Sequence, residues 1–577
     1  MKLKNIVLSA LSIVTLASCS DQMEYKEFST YDAEYIKKKF ERAGGLLSTI
    51  YADLDYDFGN YSGAMLSSAT DESVYSHSGN AIESFYNGSW SPTNANGSLW
   101  TTCYHGIAYC NLFLDEFNGL KFEDYELDKN YDAEMYQYNN YQWEARWARA
   151  YFYFLLVRQY GGVPLIVNNM SADEANAQPR ATVEEIFKFI DDECVAIKDT
   201  ITKDYGDLGN LAMSPANNGR ANNLAVLALR ARAALYHASP LFNPDNNTEL
   251  WRKAAEANYA VITECTSRGM GLGDYAGLFK GDTNWSDAAA MREIIFGRRM
   301  PTETNTFERY NFPVGMSGGG AGGQGGNCPT QNLVDAYEMT NGKLITDPES
   351  GYDPQNPYKG RDKRLALTVA CNGDTWPNVN TTPLETFIGG VHGMPTTYAT
   401  TTGYYLRKYV SESVKISADG STAATTSKHV WVTFRLAEFY LNYAEAMFNL
   451  SGSGYSAANG FTMTPEYAIN IVRRRAGQPN LPAGLSSSDF KSRYENERFV
   501  ELAFEGHRFF DVRRWKEADK YFKTIRGMQI TKNADNAFTY TPTVIENRQW
   551  QDKMYLFPIP QSEILKAGNL TQNPGWE

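Results

Sequence analysis

Apolar residues recur at helical spacing through RLAEFYLNYAEAMFNL, residues 435–450. They are separated by three and four positions and comprise Leu436, Phe439, Tyr440, Tyr443, Ala444, Met447 and Phe448. In an α-helix this spacing brings them onto one face, and such a face is buried against another element. The chain is therefore expected to fold around at least one helix with a continuous apolar stripe.

The same signature appears elsewhere in the chain, together with signals for helix ends. EARWARAYFYFLLVRQYGG (144–162) is periodic and stops at Gly161, TVEE (182–185) is a capping box, and Thr464-Pro465 places proline directly after a cap. GRANNLAVLALRARAALYHASPLF (219–242) alternates small and large residues, which suits close helix pairing. We predict a mainly α fold of irregular tetratricopeptide-like helical hairpins, without the regular period of roughly 34 residues that defines such repeats.

Long stretches rich in Gly, Asn, Thr and Tyr separate the helices, at 55–100, 270–330 and 371–430. Loops of this length are usually either functional or disordered. Their many aromatic residues argue against disorder. We therefore predict a helical scaffold that carries long loop-rich insertions.

The net charge and the aromatic content of the chain indicate which classes of partner it can bind. The net charge over 577 residues is −13, and it becomes −15 if Lys2 and Lys4 are removed with a signal peptide. No basic patch is present to hold phosphates, so nucleic acid is not an expected partner. Aromatic residues make up 14% of the chain and supply flat faces for stacking as well as core.

No metal site or cofactor is predicted from the sequence. The seven cysteines form no CxxC pair and no cluster with histidine. Cys103 and Cys110 fall in a predicted helix, about 10 Å apart, which is too far for a disulfide. DLDYD (53–57) starts like a calcium loop, but Phe58 and Ala64 stand where an EF-hand needs Gly and Glu.

The N-terminus predicts a lipid anchor. Lys2 and Lys4 precede an apolar run, 6–16, that is too short to span a bilayer but has the length of a signal-peptide core. LASC (16–19) resembles a bacterial lipobox, which implies a signal peptide at 1–18, acylation of Cys19 and a lipidated tether at 19–30. The alternative is an ordinary secretory signal with a chance cysteine. SDQME (20–24) resembles the acidic tag of some surface-exposed Bacteroidetes lipoproteins, so we expect an outer-membrane protein that faces outward.

Two motifs resemble chemical sites but have simpler interpretations. GMSGGGAGGQGGNCPT (315–330) lacks the Lys-Ser/Thr ending of a phosphate-binding loop, so a mobile lip or hinge is favoured over nucleotide binding. Glu497, Glu501 and Glu505 share one helix face at a spacing that overlaps glycosidase carboxylate pairs. Arginines at 473–475, 498, 508 and 513–514 can neutralise these carboxylates, so a buried ion-pair network is favoured over catalysis.

The loop ATDESVYSHSGNAIESFYNGSWSPTN (69–94) combines aromatic and polar side chains. The relevant residues are Tyr75, Tyr86 and Trp90 together with Asp71, His77, Asn80 and Asn87. A sugar presents an apolar C–H face, which stacks on an aromatic ring, and a rim of hydroxyls, which bind amides and carboxylates. Composition alone leaves a sugar-binding loop and an ordinary polar loop equally open.

Several motifs in a fixed order resemble those of the SusD/RagB family of outer-membrane nutrient-binding lipoproteins. WARAYFYFLLVRQYGGVPLI (147–166) matches the N-terminal half of that family, and PTQNLVDAYEMTNGK (329–343) matches its central motif. RLAEFYLNYAEA, AINIVRRRAG, ERFVELAFEGHRFFDVRRW and LFPIP…NLTQNPGW match its C-terminal motifs. One departure is Lys363 in RDKRL, where the family commonly has proline.

The resemblance implies one SusD-like domain at 31–577. Its N-terminal helical half would be 31–270, with a binding loop at 55–100, and its C-terminal half 271–577. It also implies a glycan-binding face built from loops, no catalytic residue, and partnership with a SusC-like TonB-dependent transporter.

The match at residues 70–80 carries over Tyr75, His77 and Asn80 as ligand-binding candidates, beside Asp71. Trp90 also matches the family, where it is either a ligand contact or core. Tyr310 and Asn311 are expected across a shallow cleft. A histidine in place of the aromatic platform of starch binders suggests another sugar, and the resemblance to fructan-binding members makes a fructan such as levan the expected ligand. A helical surface glycoside hydrolase and a peptide-uptake lipoprotein remain the alternatives.

Overall fold

The computed structural model describes residues 37–205, 219–280, 288–300, 302–316, 322–376, 382–416 and 425–577. The predicted signal peptide, Cys19 and the tether lie outside these ranges. Helices dominate the described chain, which confirms the predicted fold class. Within these ranges no helix combines the length and apolarity needed to cross a membrane.

The helices and strands are numbered in chain order. The helices are α1 (Phe40–Ala52), α2 (Trp100–Glu116), α3 (Tyr131–Tyr160), α4 (Ala172–Asn176), α5 (Val183–Ile197), α6 (Asn223–Ala238), α7 (Thr248–Ser267), α8 (Ala288–Met291), α9 (Thr306–Asn311), α10 (Gln331–Ala336), α11 (Lys363–Thr368), α12 (Leu436–Ser451), α13 (Pro465–Arg475), α14 (Ser487–Glu501), α15 (Arg508–Arg514), α16 (Ala518–Phe522) and α17 (Gln561–Lys566). The strands are β1 (Ser73–Tyr75), β2 (Ile294–Arg299), β3 (Asn327–Pro329), β4 (Val369–Ala370), β5 (Tyr405–Leu406), β6 (Val430–Arg435), β7 (Thr524–Lys532) and β8 (Phe538–Asn547).

Eight helices form an array in which each packs against the next: α1, α2, α3, α5, α6, α7, α12 and α13. The chain leaves this array after α7 and returns to it with α12, so residues 268–435 form a long insertion. α14 then packs against both α12 and α13. These are the predicted irregular helical hairpins, interrupted by the loop-rich stretches.

The predicted helix ends are confirmed at each signal. Thr182 and Glu185 form a reciprocal capping box on α5, and the Thr464 side chain accepts from the Tyr467 amide ahead of Pro465. α3 ends at Tyr160, and Gly161 follows with φ +71°, a conformation that glycine adopts without steric cost. At the family departure, Lys363 is the first residue of α11, and Asp362 caps this helix, so the local turn is intact.

α12 differs from the expectation of one apolar face, because it is buried on all sides from Leu436 to Phe448. Its polar residues have partners across the core. Glu438 pairs with Arg232 of α6, and Glu445 pairs with Arg514 of α15. The apolar stripe alone predicts that the opposite face of this helix is exposed to solvent. Ion pairs compensate the buried charges on that face, so the helix can lie in the centre of the fold.

The described strands form four antiparallel pairs, β1–β3, β2–β6, β4–β5 and β7–β8. The sequence did not predict any of them. The β1–β3 pair joins the first long loop to the second, and β2–β6 joins the insertion to the start of α12. All cysteines in the described ranges are buried free thiols, and Cys103 and Cys110 form no disulfide, as predicted.

Candidate ligand-binding site

Three of the predicted loops meet at the β1–β3 pair. Tyr75 lies opposite Asn327 in the register, and the Ser76 amide continues the ladder to the Gly326 carbonyl at 2.9 Å. Loop 385–399 lies against the same ladder, since a Cβ added at Gly325 would stand 2.2 Å from the Tyr398 carbonyl oxygen. The loop at 55–100, the glycine-rich stretch and the loop near 398 therefore form one surface.

A buried asparagine organises the interior of this surface. The Asn327 carboxamide oxygen accepts from the Met65 amide (2.7 Å), and its nitrogen donates to Asn311 (2.8 Å) and to the Gly63 carbonyl (3.2 Å). Asn311 is itself fully buried, and its nitrogen donates to the Phe307 carbonyl. The polar atoms of Asn311 thus hold the loops together beneath the surface.

His77 and Tyr398 form an almost parallel stack at the surface. Their ring centroids are 3.9 Å apart with an interplanar angle of 6°, and half of Tyr398 is exposed. Tyr75 lies beside His77, with centroids 5.0 Å apart. Tyr398 adopts φ +63°, which residues other than glycine seldom adopt outside functional or strained positions.

The main chain of the glycine-rich stretch fixes the orientation of His77. Its Nε2 lies 2.7 Å from the Gln324 carbonyl oxygen, and because a carbonyl only accepts, Nε2 must carry the proton. In the neutral ring Nδ1 is then an acceptor. The imidazole thus combines an apolar stacking face with one hydrogen-bond acceptor.

Tyr75 and Asn80 share one main-chain partner. The Tyr75 hydroxyl and the Asn80 nitrogen each lie 3.3 Å from the Ser62 carbonyl, and the Asn80 oxygen accepts from the Ile82 amide. Burial, together with the neighbouring Tyr310 hydroxyl, raises the pKa of Tyr75. Tyr310 is half-buried, so of these residues it and Asn80 present part of their surface beside the stack.

Two predicted residues lie beneath this surface. Asp71 is buried, and both of its carboxylate oxygens accept from Arg508. Trp90 is 3% exposed and packs edge-on against Phe557 and Trp576, while its Nε1 donates to the Asn96 carbonyl. The structure therefore brings His77, Asn80 and Tyr310 together at the surface, with Tyr75 buried directly beside His77, and it assigns Asp71, Trp90 and Asn311 to the interior.

The glycine-rich stretch serves as packing for this surface. A Cβ at Gly326 would lie 2.2 Å from the Tyr310 carbonyl oxygen, and one at Gly323 would lie 2.3 Å from that of Phe312. Both Gly325 and Gly326 adopt positive φ. Glycine is thus required where this chain passes between its neighbours, while residues 317–321, the rest of the predicted lip, lie outside the described ranges.

The glutamates of the candidate catalytic stripe are buried in ion pairs, as predicted. The single helix face was wrong for Glu505, because α14 ends at Glu501 and Glu505 lies in the turn beyond it. Of the predicted arginines, Arg473 and Arg475 pair with these carboxylates, while Arg498, Arg508 and Arg514 pair with other acidic residues. Glu497 pairs with Arg364 and Arg473, and Glu505 pairs with Arg435 and Lys408. Glu501 pairs with three arginines, Arg364, Arg435 and Arg475. Every carboxylate of the stripe is therefore occupied by cations of the core.

The calcium-like segment is likewise occupied by partners from the protein. Asp53 contacts His105, Asp55 accepts from Arg158, and Asp57 accepts from main-chain amides, including that of Leu66 at 2.6 Å. Within the part of the chain that the structure describes, no group of three or more acidic, histidine or cysteine side chains is arranged to hold a metal.

Tyr398 is the principal residue that sequence reasoning missed. Its stretch, 371–430, is one of the three long loops predicted from composition, but neither spacing nor composition distinguishes this tyrosine from the others in that loop. Only the contact with His77, more than 300 positions earlier in the chain, identifies it. A positive φ at a bulky residue is likewise invisible before the fold is known.

Comparisons with known proteins agree with the fold. The family model described as "SusD family" matches residues 292–576, and one described as "Starch-binding associating with outer membrane" matches residues 38–235. SusD-like protein P2 of Formosa agariphila is 24% identical over 455 residues, covering 75% of this chain and 73% of that protein.

Solved structures resemble the chain over nearly its whole length. A SusD-like protein from Bacteroides fragilis has a TM-score of 0.74 at 22% identity, covering 95% of this chain and 98% of that one. A SusD-like carbohydrate-binding protein from the same species has a TM-score of 0.71 at 23% identity, covering 93% and 100%. A laminarin-binding SusD-like protein has a TM-score of 0.59 at 20% identity, covering 93% and 99%.

Proposed function

Because the chain belongs to the SusD/RagB family, we propose that it is a surface lipoprotein that captures an oligosaccharide and delivers it to a SusC-like TonB-dependent transporter. The binding surface in this proposal is centred on His77 and Tyr398, with Tyr75, Asn80 and Tyr310 at its edge. The observation that carries it is the exposed, nearly parallel stack of the His77 and Tyr398 rings.

The chemistry of this surface suits a sugar. The half-exposed ring of Tyr398 offers a flat face to the C–H groups of a sugar, and the stack behind it keeps that face in place. Nδ1 of neutral His77 accepts from a hydroxyl, and the Tyr310 hydroxyl both donates and accepts. The carbohydrate-binding and laminarin-binding relatives support a glycan as the ligand.

The hydrolase alternative is weaker because a glycosidase needs two carboxyl groups facing its substrate. The best carboxylate series, Glu497, Glu501 and Glu505, is buried among arginines and Lys408. We therefore propose a binding protein without catalysis. Release of reducing sugar from bound glycans, measured over hours, is the check on this point.

Calorimetric titration tests the site. Levan is the first glycan to titrate because a fructan is the ligand expected from the sequence, and a panel of other glycans and of peptides follows. For a glycan that binds, His77→Ala and Tyr398→Ala should each weaken binding at least about tenfold, since truncating a binding hot spot costs roughly 2 kcal/mol.

Tyr467→Ala is the matched control, because Tyr467 is exposed to the same degree as Tyr398 but lies on α13. It should bind like wild type. The proposed site is wrong if Tyr398→Ala binds as tightly as Tyr467→Ala, and the glycan proposal is wrong if only peptides bind.

Crosslinking on intact cells tests the transporter. A TonB-dependent transporter encoded in the same genome should crosslink to wild-type protein, and the yield should not depend on Tyr398. Recovery of the protein without such a transporter would contradict this part of the proposal.

A further inference from the structure

Exposed apolar side chains are concentrated in one loop beside the candidate site. In the described chain, four of the ten large hydrophobic residues that are exposed lie between positions 388 and 398. They are Ile388 (53%), Val391 (62%), Met394 (45%) and Tyr398 (50%). A concentration of exposed apolar side chains on a solvent-facing protein surface usually marks a binding site.

This loop, residues 385–399, is held in shape by its own hydrogen bonds. The Gly389 amide donates to the Met394 carbonyl (2.8 Å), and the His392 amide donates to the Glu385 carbonyl (3.1 Å). The loop is also tied to the core, because the Tyr405 hydroxyl donates to the His392 carbonyl and the Ile388 amide to the Ile530 carbonyl. The apolar side chains are thus presented by a fixed main chain.

The main chain of loop 385–399 lies beside a two-stranded main-chain ribbon of the glycine-rich stretch. Residues 312–316 and 323–326 pair through amide-to-carbonyl bonds from Gly323 to Met316 and from Gly325 to Phe312. A Cβ at Gly315 would lie 3.7 Å from the Val391 carbonyl oxygen, and one at Gly325 would lie 2.2 Å from that of Tyr398. The main chain of loop 385–399 therefore follows this ribbon at Val391 and again at Tyr398, so one loop presents both the apolar side chains and the ring that stacks on His77.

An unsubstituted hexose or fructose chain makes few favourable contacts with such exposed aliphatic side chains. Its rim consists of hydroxyl groups, and aliphatic side chains neither donate to nor accept from them. A methyl group, by contrast, gains by leaving water, and burying one improves affinity roughly fourfold. Methyl groups occur on glycans at the sixth carbon of 6-deoxyhexoses and in O-acetyl groups.

Resting on the function proposed above, we propose that the glycan ligand bears methyl groups and that Ile388, Val391 and Met394 receive them. The His77–Tyr398 stack holds the sugar ring, and loop 385–399 selects its substituent. The loop thus acts as the specificity element of the site. An unsubstituted fructan is a weaker ligand in this arrangement than a methyl-bearing glycan of the same length.

Matched pairs of glycans test this selectivity by calorimetry. One pair is acetylated glucomannan before and after alkaline deacetylation, and the other is a fucosyl oligosaccharide and its galactosyl counterpart, which has a hydroxyl on the sixth carbon. At least one methyl-bearing member should bind fourfold or more tightly than its parent, and the pair that responds identifies the source of the methyl group. Levan serves as the unsubstituted reference.

The triple variant Ile388→Ser, Val391→Ser and Met394→Ser should lose this difference and bind the parent glycan as wild type does. Tyr398→Ala should weaken both members. Leu565→Ser, an exposed apolar residue on α17, is the control and should retain the preference. Unchanged melting temperature of the triple variant establishes that it folds.

Equal affinity for both members of each pair, or a preference that survives in the triple variant, would overturn the inference and leave the proposed function standing. Failure of every glycan to bind would instead refute the proposed function. If the triple variant keeps its glycan selectivity but loses the transporter crosslink, the cluster is a protein contact and the inference is wrong.

Discussion

Asp71 and Arg508 are 437 positions apart in the chain and form a buried, two-point ion pair beneath the candidate site. Oδ1 of Asp71 accepts from Nε at 2.8 Å, and Oδ2 accepts from Nη2 at 2.7 Å. The guanidinium lies between the rings of Phe499 and Tyr521, 4.0 and 4.3 Å from their centroids. The pair joins the loop that precedes β1 to α15, and so links the binding surface to the C-terminal half.

Removing one partner of this pair should destabilise the protein. Asp71→Asn leaves the Arg508 guanidinium buried without its counter-charge, which costs about 3–5 kcal/mol of unfolding free energy. Glycan affinity of the folded fraction should change little, because Asp71 is buried and both of its carboxylate oxygens are taken up by Arg508. Urea denaturation followed by circular dichroism measures the first effect, and calorimetric titration measures the second.

A double variant distinguishes the loss of the ion pair from the loss of either side chain at its position. Asp71→Leu combined with Arg508→Met replaces both charges by apolar groups and should recover most of the lost stability, since buried pairs are often replaceable in this way. If Asp71→Asn melts like wild type but fails to bind glycan, Asp71 is a ligand contact after all.

The Glu501 carboxylate should contribute more to stability than any exposed glutamate. Burial alone would raise the pKa of Glu501, but Arg475, Arg435 and Arg364 lower it far below its usual range. Glu501→Gln should lower the unfolding free energy by about 3–5 kcal/mol. Glu256→Gln, an exposed change on α7, is the control and should be neutral within about 0.5 kcal/mol.

The same interaction gives stability a pH dependence of known sign. Because the folded pKa is depressed, Glu501 contributes its full stabilisation above the unfolded value near 4.5 and loses it as pH falls below that value. Wild type should therefore lose stability on acidification below about pH 4.5 more steeply than Glu501→Gln. Parallel curves for the two proteins would contradict the assignment.

Glu72 should show the opposite behaviour. Burial and the adjacent Asp71 raise its pKa from 4.5 to about 8. The folded state thus holds a proton between these values that the unfolded state releases, so unfolding free energy falls as pH rises from about 4.5 to about 8. Glu72→Gln keeps the acceptor for the Phe504 amide and should be more stable than wild type above pH 8, by about 2–4 kcal/mol.

Thermal melts at pH 5 and pH 8.5 test this difference. The two proteins should melt together at pH 5 and separate at pH 8.5, with the variant higher. If the variant is less stable at both values, Glu72 is ionised in the folded protein and its carboxylate takes part in the Arg508 network.

The helical part of the fold was predictable because its signals are local. The apolar spacing of α12, the capping box at Thr182 and the stop at Gly161 each act within one helical turn or along one helix face. The complete burial of α12 was not predictable, since it depends on Arg232 and Arg514, which are distant in the chain.

The site was only partly predictable because it is assembled from distant segments. Sugar-like chemistry around residues 70–80 identified His77, whose ring is at the surface. The same reasoning could not distinguish Asp71, because its partner Arg508 fills the carboxylate only after folding. It could not find Tyr398, because the stack with His77 depends on how two loops meet.

Gly325 should be essential for the geometry of the stack. An alanine Cβ there would lie 2.2 Å from the Tyr398 carbonyl oxygen and 2.8 Å from Ser76 Oγ, so loop 385–399 must shift. Gly325→Ala should weaken glycan binding about tenfold or more, because Tyr398 no longer lies parallel to His77. Calorimetric titration measures this loss.

Gly79→Ala is the control for backbone strain. Gly79 also has positive φ, but a Cβ there meets no atom within 4 Å. Both variants force alanine into a positive-φ conformation and are destabilised by that strain. Only Gly325→Ala must also displace neighbouring atoms. Equal binding by the two variants would mean that the glycine ribbon does not position Tyr398.

Lipid anchoring through Cys19 is predicted from LASC at residues 16–19. Cys19→Ala removes the thiol that accepts the lipid, so the variant should leave the outer-membrane fraction. Cys371→Ala is the control, because Cys371 is a buried free thiol whose loss leaves the anchor intact. Fractionation in high salt separates a lipid anchor from charge-mediated adsorption, because salt screens only the latter. A Cys19→Ala protein that stays with the membrane under these conditions would refute the lipobox.

Orientation in the membrane is a separate prediction, which rests on the acidic stretch that follows Cys19. Asp21→Asn combined with Glu24→Gln removes its two negative charges and leaves the lipobox unchanged. This variant should remain in the membrane fraction but lose its accessibility to protease added to intact cells. Protease accessibility equal to that of wild type would mean that the acidic stretch does not direct the protein outward. This result would not depend on whether Cys19 carries a lipid. In the proposed function the glycan is captured outside the cell, so a variant whose protein becomes protected from protease should also fail to grow on the cognate glycan.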